Sequence, residues 1–335
     1  MFLYLWVYIL DMGQDSLFNI NSLGDFKRKA LEVFKFQFEN NSVYRSYCDL
    51  LYKHPSGIKE LHDIPFLPIS FFKTHKILSS EETPMVVFSS SGTSGAVTSK
   101  HYVADLDVYK NSFRKGFQFF YGDIEDFVIL ALLPSYMERE GSSLIYMADD
   151  FIKNSKHSES GFYLNQFDTL AQNLKTLDAS GKKVVLLGVS FALLDLAERH
   201  PLTLQNTIVM ETGGMKGRRK ELVREELHDI LRSAFKVSAI HSEYGMTELL
   251  SQAYSKGNGI FKCPPWMKVL TRDPEDALSI VNNQTGGINV IDLANINSCS
   301  FIATQDLGKV YDDDSFEIIG RFDNSDIRGC NLMIL

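Results

Sequence analysis

Lys183–Glu211 reads KVVLLGVSFALLDLAERHPLTLQNTIVME, and its reading decides the fold class. Lys183 to Gly188 is a continuous apolar run, not an alternating one, as expected of a strand buried on both faces. Ser190 to Glu198 reads as a helix and Thr207 to Glu211 as a second strand. Strand, helix and strand in so short a span form a βαβ unit, which makes a parallel sheet. The same alternation extends outward. Pro84 to Ser89 (PMVVFS) reads as a strand preceding the motif below, and Asp105 to Phe120 as a helix. Phe127 to Leu133 (FVILALL) is another buried strand, and Phe167 to Ser180 is helical. Lys216 to Phe235 is expected to be one long helix, with Leu222, Val223, Leu227, Ile230, Leu231 and Phe235 on one side. Val237 to His241 is the next strand. The class expected is α/β, with mainly parallel sheets flanked by helices. The last hundred residues look richer in strands, with turn signals at Asn282-Asn283, Gly286-Gly287 and Asp312 to Asp314.

Upstream, Ser22 to Lys53 reads as helical, with apolar residues such as Phe26, Leu31 and Phe34 at mixed, partly helical spacing. In Ile64-Pro65-Phe66-Leu67-Pro68 two prolines forbid a regular helix and favour extended chain. No internal repeat or low-complexity linker interrupts the sequence. Met1 to Leu10 (MFLYLWVYIL) is too short to span a bilayer and lacks the flanks of a signal peptide. It reads either as a buried strand or short helix, or as residues ahead of a true start at Met12. The expectation is a soluble, cytoplasmic protein with no membrane span.

The 335 residues suffice for one large core or two smaller ones. A net charge of −8 gives no general electrostatic attraction to nucleic acid or anionic membrane, so neither is an expected partner. A nucleotide in a local pocket stays open. Cys48, Cys263, Cys299 and Cys330 have no CxxC spacing, which argues against a disulfide framework or zinc site and suits a reducing compartment.

Four stretches carry candidate chemistry. Ser89-Ser90-Ser91-Gly92-Thr93-Ser94-Gly95 offers hydroxyl donors, and glycines that let backbone N–H groups approach an anion. Lys100 follows within reach of a phosphate. The string lacks the P-loop pattern, and a Ser/Gly turn is its plain alternative. Tyr244-Gly245-Met246-Thr247-Glu248 offers a hydroxyl donor in Thr247 and a hard carboxylate in Glu248 suited to magnesium; a helix N-terminus is its alternative. Thr304-Gln305-Asp306-Leu307-Gly308, read as a turn, and Gly320-Arg321-Phe322-Asp323 offer an acceptor and a donor for ribose hydroxyls, or ordinary turn chemistry. Met210-Glu211-Thr212-Gly213-Gly214 offers bare backbone against a flat base, or a strand-to-helix turn.

Taken in chain order, the Ser/Gly string, the Gly213-Gly214 turn, Tyr244 to Glu248, the Asp306 turn and Gly320 to Asp323 resemble the signature of the adenylate-forming superfamily, over roughly residues 60 to 330. The resemblance implies a large acyl-CoA synthetase-like N-terminal domain (1–320, with a helical N-terminal portion) and a truncated tail (321–335) carrying Cys330, without the mobile lid of larger relatives. It implies ATP and Mg2+ as cofactors. Ser89 to Gly95 and Lys100 would face the phosphates, Gly213 and Gly214 the adenine. Tyr244, Gly245, Thr247 and Glu248 would lie at phosphate and metal, Asp306 and Arg321 at the ribose. Within the superfamily, Ile64 to Lys73 and Arg328-Gly329-Cys330-Asn331-Leu332-Met333 resemble segments of the acyl-protein synthetase family of the bacterial bioluminescence fatty-acid reductase complex. There the C-terminal cysteine accepts the acyl group.

That family implies a carboxylic, fatty acid substrate and an acyl-CoA or acyl reductase protein partner. Catalytic roles would fall to Cys330, Lys100, Thr247 and Glu248. Ser94 stands where many relatives have Thr, which keeps the hydroxyl. Two other readings stay open: an acyl-CoA ligase of the phenylacetate type, and a weakly catalytic binding subunit of a reductase complex. The 24 Phe and 14 Tyr suit an apolar tunnel or simply a core, so the acid is not specified, nor is the oligomeric state.

Overall fold

The computed structural model describes residues 14–79, 83–90, 97–134, 141–213, 219 and 222–322. The segments around Met1 and Met12, and the tail with Cys330, lie outside the described residues.

The described residues open with α1 (Gln14–Phe18), α2 (Leu23–Asn40) and α3 (Ser42–Leu50). Ser22 caps α2 by accepting from the Asp25 N–H at 3.1 Å. Asn41 ends α2 and caps α3, accepting from the Tyr44 N–H at 3.0 Å. The asparagine side chain competes with the backbone here, which splits the expected single helical stretch in two. The proline segment is extended as expected: β1 (Leu67–Pro68) adds in parallel to a later strand, and α4 (Phe71–Thr74) follows.

β2 (Val86–Ser89) and β3 (Lys100–Val103) form a separate antiparallel hairpin. The strand before the Ser/Gly string thus forms as expected but lies outside the main sheet. Val87 is 37% exposed, and only Phe88 is deeply buried.

The main sheet has 13 strands. α5 (Leu106–Tyr121) leads into β4 (Phe127–Leu132), buried at every position. α6 (Ser143–Asn154), β5 (Gly161–Tyr163) and α7 (Phe167–Ala179) precede β6 (Lys183–Val189). Then come α8 (Ser190–Arg199), β7 (Thr207–Thr212), α9 (Arg224–Phe235) and β8 (His241–Tyr244). The strands β5-β4-β6-β7-β8 are parallel neighbours. Val128, Leu130, Val184, Leu186 and Val209 in these strands have no exposure.

α9 is shorter than its sequence suggests. It starts at Arg224, with Val223 as the N-cap, 70% exposed. Arg219 lies outside it, held by Asp195 and Glu198. The buried face is Leu227, His228, Leu231 and Phe235; Ile230 is 38% exposed. Lys236 ends the helix at φ +56, and the strand expected from Val237 begins only at His241.

From β8 onward the sheet turns antiparallel. β9 (Ala253–Ser255), β10 (Ile260–Lys262), β11 (Met267–Arg272) and β12 (Ile280–Val281) are followed by β13 (Thr285–Asp292), β14 (Phe301–Val310) and β15 (Phe316–Arg321). The order runs β12-β11-β13-β14-β15-β10-β9-β8, with β1 beside β14. Gly286 and Gly287, expected to mark a turn, lie inside β13, where a Cβ on Gly286 would meet the Arg272 carbonyl at 2.1 Å. Asn283 and Asp314 do turn the chain, at φ +54 and +62. Among the described residues no helix is long and apolar enough to cross a membrane.

The N-terminal helices are sewn to the far end of the chain. The Gln37 side-chain amide donates to the carbonyls of Asn295, Ile296 and Ser298 at 3.0, 2.9 and 3.2 Å, while its oxygen accepts from the Ser300 N–H. Burying so polar a group is tolerable only because its bonds are made.

Candidate active site

β8 delivers Tyr244 as its last residue, and the chain then turns at Met246–Leu249, where the Leu249 N–H bonds the Met246 carbonyl at 3.1 Å. Thr247 and Glu248 sit on this turn and not in a helix N-terminus. A Cβ on Gly245 would stand 2.4 Å from Glu243 Oε1 and would displace that carboxylate. Glu243 accepts from the Thr212 hydroxyl at the end of β7, and burial pushes its carboxyl up to about 7. Next to Thr212, exposed Gly213 turns the chain at φ +66, a conformation glycine adopts freely.

Glu248 is buried at 5% exposure. Burial raises its carboxyl above the usual range, against a hydrogen bond from Ser99 and the positive charges of Arg321 and Lys73. No described cation forms an ion pair with it. Ser99 belongs to the hairpin. Its N–H donates to Ser90 Oγ at 2.9 Å, and the Ser90 N–H donates to its carbonyl at 3.1 Å. The two residues thus close the neck of the Ser/Gly string. Ser89 is tied by its N–H to the Gly141 carbonyl at 2.8 Å, and Lys100 beside it is exposed and forms no ion pair among the described residues.

The structure corrects the reading of the third motif. Asp306 is not on a turn but within β14, and Gly320 and Arg321 lie within β15. Asp306 and Arg321 are cross-strand partners, with Arg321 Nε 3.0 Å from Asp306 Oδ1. Gly308 marks a bulge, and a Cβ on it would meet the Glu317 carbonyl at 2.2 Å. The Tyr244 hydroxyl donates to Asp306 Oδ2 at 2.8 Å. Two further lone-pair directions of this carboxylate stay available to an added donor. The Arg321 side chain is 76% exposed, so it can follow a ligand.

The structure therefore brings together Ser90, Tyr244, Gly245, Thr247, Glu248, Asp306 and Arg321, with Gly213 one strand away. Ser91, Gly92, Thr93, Ser94, Gly95, Gly214 and Cys330 lie outside the described residues. The other three cysteines are not nucleophiles by environment: burial pushes the Cys48 thiol to about 12, and Cys263 and Cys299 also upward.

Sequence reasoning missed the residues that hold the turn. His101 on β3 has its Nδ1 2.8 Å from the Thr247 carbonyl. Asn295 Nδ2 donates to the Glu248 carbonyl at 2.7 Å. Asp292, fully buried, accepts from the Leu250 and Ser251 N–H groups at 2.8 and 2.9 Å. No local pattern marks these positions, because each partner is distant in sequence.

The set suits a magnesium–nucleotide complex. Mg2+ takes one or two carboxylates together with substrate phosphates and waters. A buried carboxylate without a paired cation among the described residues, with the hydroxyl of Ser99 beside it, matches that need. Among the described residues no cluster of three metal-ligating side chains exists, so phosphate and water would complete the coordination.

Residues 20–116 match the family model described as acyl-protein synthetase, LuxE. The long-chain-fatty-acid–luciferin-component ligase of Vibrio harveyi is 22% identical over 90% of this chain and 84% of that protein. Its namesake in Aliivibrio fischeri is 23% identical, over 90% and 85%. Among solved structures, 2-hydroxyisobutyryl-CoA ligase with its acyl-adenylate superposes at a TM-score of 0.65, with 15% identity, over 90% of this chain and 68% of that one. ATP-bound MatB from Rhodopseudomonas palustris superposes at 0.54 with 17% identity over 73% of this chain, which spans about half of MatB (48%). The fold is that of the adenylate-forming ligases. Over residues 20–116 the sequence is similar to the LuxE acyl-protein synthetases.

Proposed function

We propose that the protein activates a carboxylic acid, a fatty acid foremost, with ATP, and passes the acyl group to a cysteine thiol. The observation that supports this most is the convergence of the hairpin neck, Glu248 and the Asp306–Arg321 pair in an adenylate-forming fold.

In the first step a carboxylate oxygen of the acid attacks the α-phosphorus of ATP. The bond to pyrophosphate breaks, giving acyl-AMP. Ser89 to Gly95 and Lys100 hold the phosphates, while Tyr244 and Gly245 shape the floor beside them. Thr247 donates to phosphate, and Glu248 holds Mg2+. Mg2+ bound there would supply positive charge to offset what builds on the phosphoryl oxygens. Preplaced donors do the same without reorganising during the reaction. Asp306 accepts from the ribose hydroxyls, Arg321 donates to the sugar, and Gly213 with Gly214 packs on adenine. In the second step a thiolate attacks the acyl carbonyl; the carbon–oxygen bond to AMP breaks and a thioester forms. Cys330 is the proposed acceptor, with an acyl reductase as the protein partner and the cytoplasm as the compartment.

The test is ATP–pyrophosphate exchange with a panel of radiolabelled acids, followed by gel analysis for protein-bound label released by neutral hydroxylamine. Cys330→Ser is expected to keep exchange and lose the label. CoA-dependent AMP release without protein label would instead establish an acyl-CoA ligase, a reading the likeness to 2-hydroxyisobutyryl-CoA ligase favours as second. No exchange with any acid, and no nucleotide binding by calorimetry, would leave only a binding subunit.

A further inference from the structure

The Ser/Gly hairpin and the Thr247–Glu248 turn come from different parts of the chain, and only the turn is anchored in the main sheet. Among the described residues the hairpin's two strands pair only with each other, and Ser89 adds one backbone bond to Gly141. Something must hold the two in register if they are to grip one triphosphate. Ser99 reaches the Glu248 carboxyl, and His101 is the group placed to hold the backbone of the turn. It follows Lys100 on β3, opposite Phe88, and it is completely buried. A carbonyl oxygen only accepts, so Nδ1 of His101 carries the proton and donates to Thr247. The ring is fixed from the other side by Phe72 of α4, edge to face with centroids 5.7 Å apart. Asn295 completes the arrangement by donating to the next carbonyl, that of Glu248. Consecutive carbonyls are thus held by two buried side chains, one from the hairpin and one from the loop before β14. With both carbonyls fixed, the peptide planes on either side of Glu248 have little freedom, and the direction in which its side chain leaves the backbone is set.

We propose that His101 is a positioning residue that locks the phosphate hairpin to the metal-holding turn, so that phosphate and Mg2+ are bound as one unit. This rests on the adenylation reading above. His101 touches neither nucleotide nor metal in this account; it acts through the Thr247 carbonyl.

The lock predicts a pattern that a merely structural histidine does not produce. The measurements are calorimetric ATP affinity with and without Mg2+, exchange kinetics split into kcat and KM, and the melting temperature. Asn places an amide N–H near the position of Nδ1, whereas Gln carries its amide one carbon further, so H101N is expected to stay close to wild type. H101Q and H101F are expected to bind metal-free ATP within about twofold of wild type, yet to lose about tenfold or more of the Mg2+-dependent tightening. Their exchange kcat should fall about 100-fold, the scale expected of a displacement near 1 Å at a reacting centre. F72L, which loosens the ring's packing but keeps the bond, is expected to lower the melting temperature while retaining the metal coupling.

Equal coupling in H101N and H101Q overturns the proposal, as does a loss in F72L that simply tracks its melting temperature. If H101F does not fold, the Asn and Gln pair still decides. Absent exchange in the wild-type chain overturns the adenylation reading itself. Normal wild-type exchange with an unaffected H101Q overturns this inference alone.

Discussion

In the parallel half of the sheet the candidate groups stand beyond strand ends; in the antiparallel half they stand within strands. Gly213 follows β7, and Thr247 and Glu248 follow β8. Asp306 and Arg321, by contrast, face each other across β14 and β15. A parallel strand buried on both faces has no side for a polar group, so chemistry collects past its C-terminal end. An antiparallel ladder can hold a charged pair in place by register, at the cost that a slip of one residue turns both to the wrong face. β8 is the seam, parallel to β7 and antiparallel to β9. It carries Glu243 and Tyr244, and both halves meet at its end.

Three measurements sharpen or break this contrast. The largest effect is expected at the strand-end turn. Glu248→Gln should reduce pyrophosphate exchange about 10²–10³-fold, the usual cost of removing one charge-stabilising group, while leaving the melting temperature unchanged or higher. A milder loss would mean that the turn is not where charge is handled.

The seam comes next. The Glu243 carboxyl, at about 7, lies above the ordinary carboxylate value of 4.5 because it is buried. The folded state therefore holds this proton more tightly than the unfolded chain does. Stability from this group is complete below about pH 4.5 and is lost as pH rises through 7. Glu243→Gln should remove that loss, so unfolding free energies from urea titrations at pH 5 and pH 8 should differ less in the variant, by on the order of 2–3 kcal/mol. Parallel pH profiles for variant and wild type would show that Glu243 does not titrate in the fold.

The smallest effect belongs to the cross-strand pair. Asp306→Asn should raise KM for ATP about tenfold, about 1.4 kcal/mol of binding, with kcat nearly kept. Stability should change by less than about 1 kcal/mol, since the Arg321 partner is largely exposed. A fall in kcat as deep as that of Glu248→Gln would erase the distinction between the two halves.

The same contrast explains what was legible in the sequence. β4, β6 and β7 fall within a residue or two of their expected bounds, because continuous apolar runs have no other stable home. The start of α9 was not legible. Lys216 to Val223 has helical composition, but Arg219 is engaged by α8 carboxylates and Val223 serves as the cap. In the antiparallel half local signals misled. Asp306, Gly308 and the Gly286-Gly287 pair are turn formers by propensity, yet here glycine admits a neighbouring backbone within a ladder. The candidate site was legible where motif and strand end coincide, at Tyr244 to Glu248. His101 was not, because its partner Thr247 lies 146 residues away and no spacing links them.

The bonds from Gln37 to Asn295 and Ile296 join positions 258 and 259 residues apart. At 5–20 residues per second of synthesis, roughly 13–50 s pass between the two ends leaving the ribosome. Throughout that interval the α2 segment lacks the residues that cover it, leaving its phenylalanine-rich side open to other chains. The demand on chaperones during translation should accordingly fall on the first fifty residues, far from any step of the chemistry.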